Sequence, residues 1–269
     1  MSSTDKITIL FIADVVGQAG CETLVKHLPE LRKSFATDFV IANGENANNN
    51  GRGITQKIAK RFFEAGVDVI TGGNHTWENR NNPELFEAED RVIRPANYPD
   101  GNIGTGSYVA TLKDNATKIA VLNLQGRTFL YPILCPFRFS DEAIAQLKVQ
   151  TDIIFVDFHA EATAEKIALG WYLDGKVSAV VGTHTHVQTA DARVLPGGTA
   201  YVTDLGMSGP HDSVIGVRSE IIVNRFLGRN THQRFETAEG DVRVQGASVV
   251  ADAATGRALS IETFTRGGG

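Results

Sequence analysis

One pattern recurs along the chain. A short apolar, β-branched run stops abruptly at polar residues able to do chemistry. Ile7 to Ala13 stops at Asp14, and Asp38 to Ala42 at Asn43-Gly44-Glu45-Asn46. Val67 to Ile70 stops at Thr71-Gly72-Gly73-Asn74-His75, and Ile119 to Leu122 at Asn123-Leu124-Gln125-Gly126-Arg127. Asp152 to Val156 stops at Asp157-Phe158-His159, Val177 to Val181 at Gly182-Thr183-His184-Thr185-His186, and Ala200 to Thr203 at Asp204. Such unbroken apolar runs predict strands covered on both faces. Between them lie helical spacings: Leu24, Leu28, Leu31 and Phe35, then Ile58, Phe62 and Ala65 with Gly66 as a cap. Ser140-Asp141-Glu142 reads as the start of a helix carrying Ile144 and Leu147.

Strands alternating with helices predict an α/β fold, in which ligands bind beyond the carboxyl ends of the strands. Every polar cluster above falls there. The C-terminal part reads differently. Arg234–Glu236, Val242–Val250 and Ala258–Phe264 look like short strands, with turns at Glu239-Gly240-Asp241 and Ala254-Thr255-Gly256. They predict a second, more antiparallel sheet packed on the first. Arg266 to Gly269 reads as a frayed tail. No linker or repeat interrupts the 269 residues, so one domain over residues 1–269 is expected, with a core from about 7 to about 265.

Composition narrows the classes. The chain is 42% hydrophobic and 21% charged, ordinary for a globular protein. A net charge of -5 argues against a partner such as a long nucleic acid, which needs a basic face. It leaves room for a small phosphate compound, because bound cations supply local positive charge. Cys21 and Cys135 are far apart and form no Cys-x-x-Cys, which points away from thiolate metal sites and disulfides and towards a reducing cytoplasm. No apolar stretch reaches the roughly 18 residues of a membrane span, and the polar start followed by a strand is no signal peptide.

The candidate chemistry follows from residue type and position. On an extended segment, His184 and His186 point to one face. Glu45 offers a carboxylate that can bridge two cations, and Asn74 an amide oxygen for a hard cation. His75, one residue on, points elsewhere and is free to act as an acid. His159 shares a face with Asp157, which can orient its imidazole. Together with Asp14, these residues gather ligand atoms at five strand ends. Oxygens and imidazoles without thiolate suit Fe, Mn or Zn. The ligands outnumber what one tetrahedral ion needs, which favours two metals.

The order Asp14, Gly44-Glu45-Asn46, Gly73-Asn74-His75, His159, Gly182-Thr183-His184-Thr185-His186 resembles the calcineurin-like metallophosphoesterases. Longer stretches, including Phe11 to Gly17, Arg94 to Asn97, Asn123 to Thr128, Asp157 to Thr163 and Thr183 to Asp191, resemble the bacterial YmdB-type branch over nearly the whole chain. In the wider superfamily a histidine stands where this chain has Val16, and an aspartate where it has Glu45; the YmdB-type branch shares both departures.

The resemblance implies a four-layer α/β/β/α sandwich, with two central mixed sheets flanked by helices. It implies one metal on Asp14, Glu45, Asn46 and His186 and a second on Glu45, Asn74, His159 and His184, iron foremost, with manganese or zinc as alternatives. It also implies hydrolysis of 2′,3′-cyclic nucleotides and leaves a homo-oligomer open. Two cations about 3.5–4 Å apart would activate a bridging hydroxide for in-line attack on phosphorus, with His75 as the proton donor. Arg127 is a candidate phosphate contact or a surface arginine. The same metals would serve a phosphomonoesterase or phosphoprotein phosphatase. A regulatory protein binding metal and nucleotide with little turnover is the third reading.

Overall fold

The computed structural model describes residues 6–78, 82–113, 116–229 and 232–268. Its strands are β1 (Lys6–Ile12), β2 (Asp14–Val15), β3 (Phe39–Asn43), β4 (Val69–Thr71), β5 (Ser107–Thr111), β6 (Lys118–Gln125), β7 (Ile154–His159), β8 (Ala179–Thr183), β9 (Arg193–Val194), β10 (Ala200–Val202), β11 (Met207–Pro210), β12 (Val242–Asp252) and β13 (Ala258–Gly267). The helices are α1 (Gly17–Ser34), α2 (Gln56–Ala65), α3 (Asn82–Ala88), α4 (Pro136–Lys148), α5 (Thr163–Tyr172) and α6 (Ser219–Phe226).

The strands form two sheets. The first runs β2-β11-β12-β1-β3-β4, with β13 also paired to β12; the second runs β5-β6-β7-β8-β10-β9. In the first, β1, β3 and β4 are parallel. In the second, β6, β7, β8 and β10 are parallel. Parallel neighbours bring their carboxyl ends to one edge.

Side-chain alternation along each strand decides the layers. Ile9, Phe11 and Ala13 face inward and pack with Phe155, Val181 and Val202 of the other sheet. The Phe11 and Phe155 rings meet edge-on, centroids 5.9 Å apart. Leu10, Ile12, Val40 and Ala42 face outward onto Leu24 and Leu28 of α1 and Phe62 of α2. On the far side, Leu122, Ile154 and Val156 face Ile144 of α4 and Leu169 of α5. The order is therefore helix, sheet, sheet, helix. Both faces of the central strands β1, β3, β6, β7 and β8 are covered, which is why these strands read as unbroken apolar runs.

Several local expectations are corrected. β12 and β13 do not build a separate sheet: β12 pairs antiparallel with β1 from Lys6↔Asp252 to Ile12↔Gly246 and so extends the first sheet. The second sheet comes from the middle of the chain. Arg234–Glu236 is not a strand; only an isolated bridge, Val217↔Thr237, forms nearby. α4 starts at Pro136, with proline in the first turn where its missing N–H costs nothing. Ser140 lies inside the helix, its hydroxyl donating to the Phe137 carbonyl. β13 takes in Arg266 and Gly267, so that part of the expected tail is ordered by pairing with Val244 and Arg243; Gly269 lies outside the described residues. Gly66 caps α2 as expected, with φ 105°.

Candidate metal centre

Glu45 follows β3, Asn74 and His75 follow β4, His159 ends β7, and His184 and His186 follow β8. Asp14 sits in β2, paired in parallel with Met207. The two parallel sets of strands, one from each sheet, thus open onto one place.

Around His159 Nε2 three ligand-type atoms converge: Glu45 Oε1 at 3.0 Å, Asn74 Oδ1 at 3.0 Å and His184 Nδ1 at 3.1 Å. Atoms about 2.1 Å from one ion and roughly at right angles stand about 3 Å apart, so this spacing fits a cation among them. Glu45, His159 and His184 each place a ligand atom within 4.8 Å of the others. Asp14 lies on the other flank, with Oδ1 3.8 Å from His186 Nε2 and 3.9 Å from His159 Nδ1. Asp14 Oδ1 and Asn46 Oδ1 are both buried without a hydrogen-bond partner. Bare buried oxygens are costly unless something positive meets them. The Asn46 amide nitrogen donates to Gly51 O (2.9 Å), which turns the bare oxygen the other way.

Hydrogen bonds fix which imidazole nitrogen is free. His159 Nδ1 donates to Thr183 Oγ1 (2.9 Å), whose hydroxyl donates to Asp157 Oδ1 (2.7 Å). His184 Nε2 lies 3.0 Å from Glu161 Oε2, and His186 Nδ1 donates to the Ile215 carbonyl (2.9 Å). Each ring is therefore tied on its outer nitrogen, which leaves the inner one facing the position a cation would take. Asp157 orients His159 through Thr183 and not directly, as the sequence suggested. It also accepts from Thr71 and Asn43, joining the ends of both sheets beneath the centre.

Electrostatics agree. Burial pushes the Asp14 carboxyl up to about 6, against the pull of His186 and His159. Burial alone would raise Glu45 too, but His159 and His75 hold it at about 2. Burial likewise opposes charge on His159, yet Glu45, Asp14 and Asp157 hold it up at about 9. Burial and the neighbouring His159 push His184 down to about 3. Without a cation, His159 is thus favoured in its charged form beside the Glu45 carboxylate, 3.0 Å away.

His184 and His186 do not lie on an extended segment. β8 ends at Thr183, and both histidines have left-handed backbone, φ 101° and 62°. The buried Lys166 supports this bend: its ammonium donates to Thr183 O (2.7 Å) and pairs with Asp204, which also accepts from the Thr185 hydroxyl (2.8 Å). Gly73 is required by close approach, since a Cβ there would stand 2.3 Å from His159 Cδ2 and 2.4 Å from Glu45 Oε2.

His75 stands outside the cluster. Its backbone N–H donates to Glu45 Oε2 (2.8 Å), and its ring Nδ1 lies 2.7 Å from Glu78 Oε1. Arg127 is exposed, and its guanidinium has no hydrogen-bond partner among the described residues.

The family model described as YmdB-like protein matches residues 10–264. The chain belongs to the YmdB-like family. This YmdB-like chain is 48% identical over 254 residues to the 2′,3′-cyclic-nucleotide 2′-phosphodiesterase of Bacillus subtilis (strain 168), covering 94% of this chain and 95% of that one. Its fold matches a crystal structure of a novel phosphatase from Mycoplasma pneumoniae, with TM-score 0.91, 35% identity, and 98% and 94% of the two chains covered. It also matches a hypothetical protein from Thermus thermophilus, with TM-score 0.90, 40% identity, and 98% and 100% covered.

In this YmdB-like chain the groups that tie the rings, Glu161, Thr183, Glu78 and the Ile215 carbonyl, do not stand out from the sequence. Glu161 follows His159 by two residues and Glu78 follows His75 by three, so both were near signals already read. A backbone carbonyl leaves no trace in the sequence. Among the described residues no helix is long and apolar enough to cross a membrane.

Proposed function

We propose that this chain is a dinuclear metal-dependent phosphodiesterase acting on 2′,3′-cyclic nucleotides. The observation that carries the reading is the set of inward-facing ligand atoms: three imidazole nitrogens whose rings are fixed by outer hydrogen bonds, beside the bare buried oxygens of Asp14 and Asn46. One metal would be held by Asp14, Glu45, Asn46 and His186, the other by Glu45, Asn74, His159 and His184. Glu45 suits the bridging position, its charge maintained by the neighbouring histidines. When bound, two such cations clamp phosphate oxygens and lower the pKa of a water.

The chain's own residues supply the rest. Addition of water to phosphorus breaks the bond to a ribose oxygen, which leaves as an alkoxide and needs a proton. His75 is the donor. Glu78 fixes its ring through Nδ1, and Nε2 remains to carry the proton. The Bacillus subtilis relative's name specifies the 2′ bond; cleavage there releases a 3′-phosphate, and the same outcome is proposed here.

The test compares hydrolysis of 2′,3′-cyclic nucleotides, simple diesters and monoesters by metal-loaded protein. Preferential turnover of cyclic nucleotides to 3′-monophosphates supports the reading. Strong preference for monoesters would instead select a phosphatase, the word used for the Mycoplasma pneumoniae structure.

A further inference from the structure

The loop leaving β6, residues 126–135, carries two rings turned to solvent: Phe129 is 88% exposed and Tyr131 71%. A single exposed ring needs no explanation. These two lie on a loop pinned beside the metal centre. The Gly126 N–H donates to the carbonyl of His159 (3.0 Å), itself one of the centre's imidazoles. The N–H groups of Arg127 and Thr128 both donate to the Glu165 carboxylate, at 3.0 and 3.1 Å. At the far end the Leu134 N–H donates to Asn97 O (3.0 Å), while the Asn97 amide donates to both Gln125 O (2.8 Å) and Leu134 O (2.9 Å). The loop is thus closed at both ends, and Phe129 is held in left-handed backbone at φ 62°, a conformation that ring-bearing residues rarely adopt.

Tyr98 links this loop to the centre. Its hydroxyl donates to Gln125 Oε1 (3.2 Å), and its ring meets Trp77 edge-on with centroids 4.6 Å apart, two residues beyond His75. One side chain therefore bridges the segment that follows His75 and the strand end from which the loop leaves. A nucleotide whose phosphate lies at the metals must place its base a ribose-length away, and an aromatic face is what a base stacks on.

We propose that Phe129 and Tyr131 form a stacking site for the nucleobase of the substrate. This rests on the phosphodiesterase reading and adds its base subsite. Stacking engages ring faces and not hydrogen-bonding edges, so the site accepts all bases and favours the larger purines.

The test uses the metal-loaded full chain with two substrates: adenosine 2′,3′-cyclic phosphate and the methyl riboside 2′,3′-cyclic phosphate, which keeps the sugar and phosphate but lacks a base. Both rings are exposed, so the variants should fold. Phe129→Ala with Tyr131→Ala should raise KM for the nucleotide about ten-fold with kcat little changed, and leave KM for the base-free substrate unaltered. The conservative pair Phe129→Tyr and Tyr131→Phe should keep the wild-type KM. An unchanged nucleotide KM in the alanine variant overturns the proposal. So does an equal loss on both substrates, or a change of oligomeric state accompanied by equal loss, which would make the loop an interface. Wild-type turnover of the base-free substrate in those cases would leave the phosphodiesterase reading standing; hydrolysis of neither substrate by wild type would end both.

Discussion

Replacing Glu161 by alanine removes the side chain tied to the outer nitrogen of His184. The contact is 3.0 Å, between a half-exposed carboxylate (49%) and a mostly buried imidazole (17%). His184 is held neutral, its pKa pushed down to about 3 by burial and by His159, so its Nε2 carries the proton that Glu161 accepts and its Nδ1 the lone pair. Loss of such an orienting partner typically weakens metal binding 10- to 100-fold. Here water can reach the vacated position, which puts the expected loss near the lower limit, about ten-fold or about 1.4 kcal/mol. Glu161→Gln keeps an acceptor oxygen at the same reach and should recover most of the affinity. The assay titrates metal-free protein with Mn²⁺ in competition with a chelating dye, and an NMR experiment follows the His184 Nε2–H, which should exchange faster in the alanine variant only. Metal binding by Glu161→Ala as tight as by wild type would show that Glu161 does not orient the ring. If the glutamine variant is as weak as the alanine variant, charge and not the hydrogen bond holds the ring.

Three further outcomes are expected. His75→Ala should retain both metals and lose turnover by about 10²- to 10⁴-fold, measured by steady-state kinetics on metal-loaded protein; unchanged turnover removes His75 from the reaction. Metal binding should release a proton at neutral pH, because His159 is raised to about 9 in the metal-free protein and must be neutral to ligate. A raised pKa keeps the proton on until pH climbs through about 9, so affinity should rise by up to about ten-fold per pH unit between roughly 6.5 and 9, then flatten. Calorimetry in buffers of different ionisation enthalpy reads that proton, and its absence would contradict a protonated His159 in the metal-free protein. Gly73→Ala forces a Cβ to within 2.4 Å of both His159 and Glu45; it should abolish metal binding by equilibrium dialysis, and tight retention would show that the backbone there can give way.

The strand ends were legible because chemistry and hydrophobicity change at the same residue. An unbroken run such as Ile7 to Ala13 marks a strand buried on both faces, and the Asp14 that stops it marks the edge where ligands gather. The structure divides that run between two layers, Ile9 and Phe11 on one side and Leu10 and Ile12 on the other, a division that a run apolar on both faces does not reveal. Pairing across the chain was not legible. Nothing local to Val242–Val250 says that it will lie against Lys6–Ile12, so those strands read as a separate sheet. A spacing of two places the histidine pair on an extended segment, but two left-handed residues turn it, supported by a buried Lys166–Asp204 pair distant in sequence. Likewise Asp157 looked like a direct partner of His159, because a period of two places them on one face; the intervening Thr183 comes from the neighbouring strand.

The proposed mechanism needs two cations acting together at one centre. Metal-free protein is titrated with Mn²⁺, and hydrolysis of a 2′,3′-cyclic nucleotide is followed at each addition. Activity should be absent after chelation and should reach its plateau at two equivalents per chain. A plateau at one equivalent, or full activity in the chelated protein, would contradict the two-metal account.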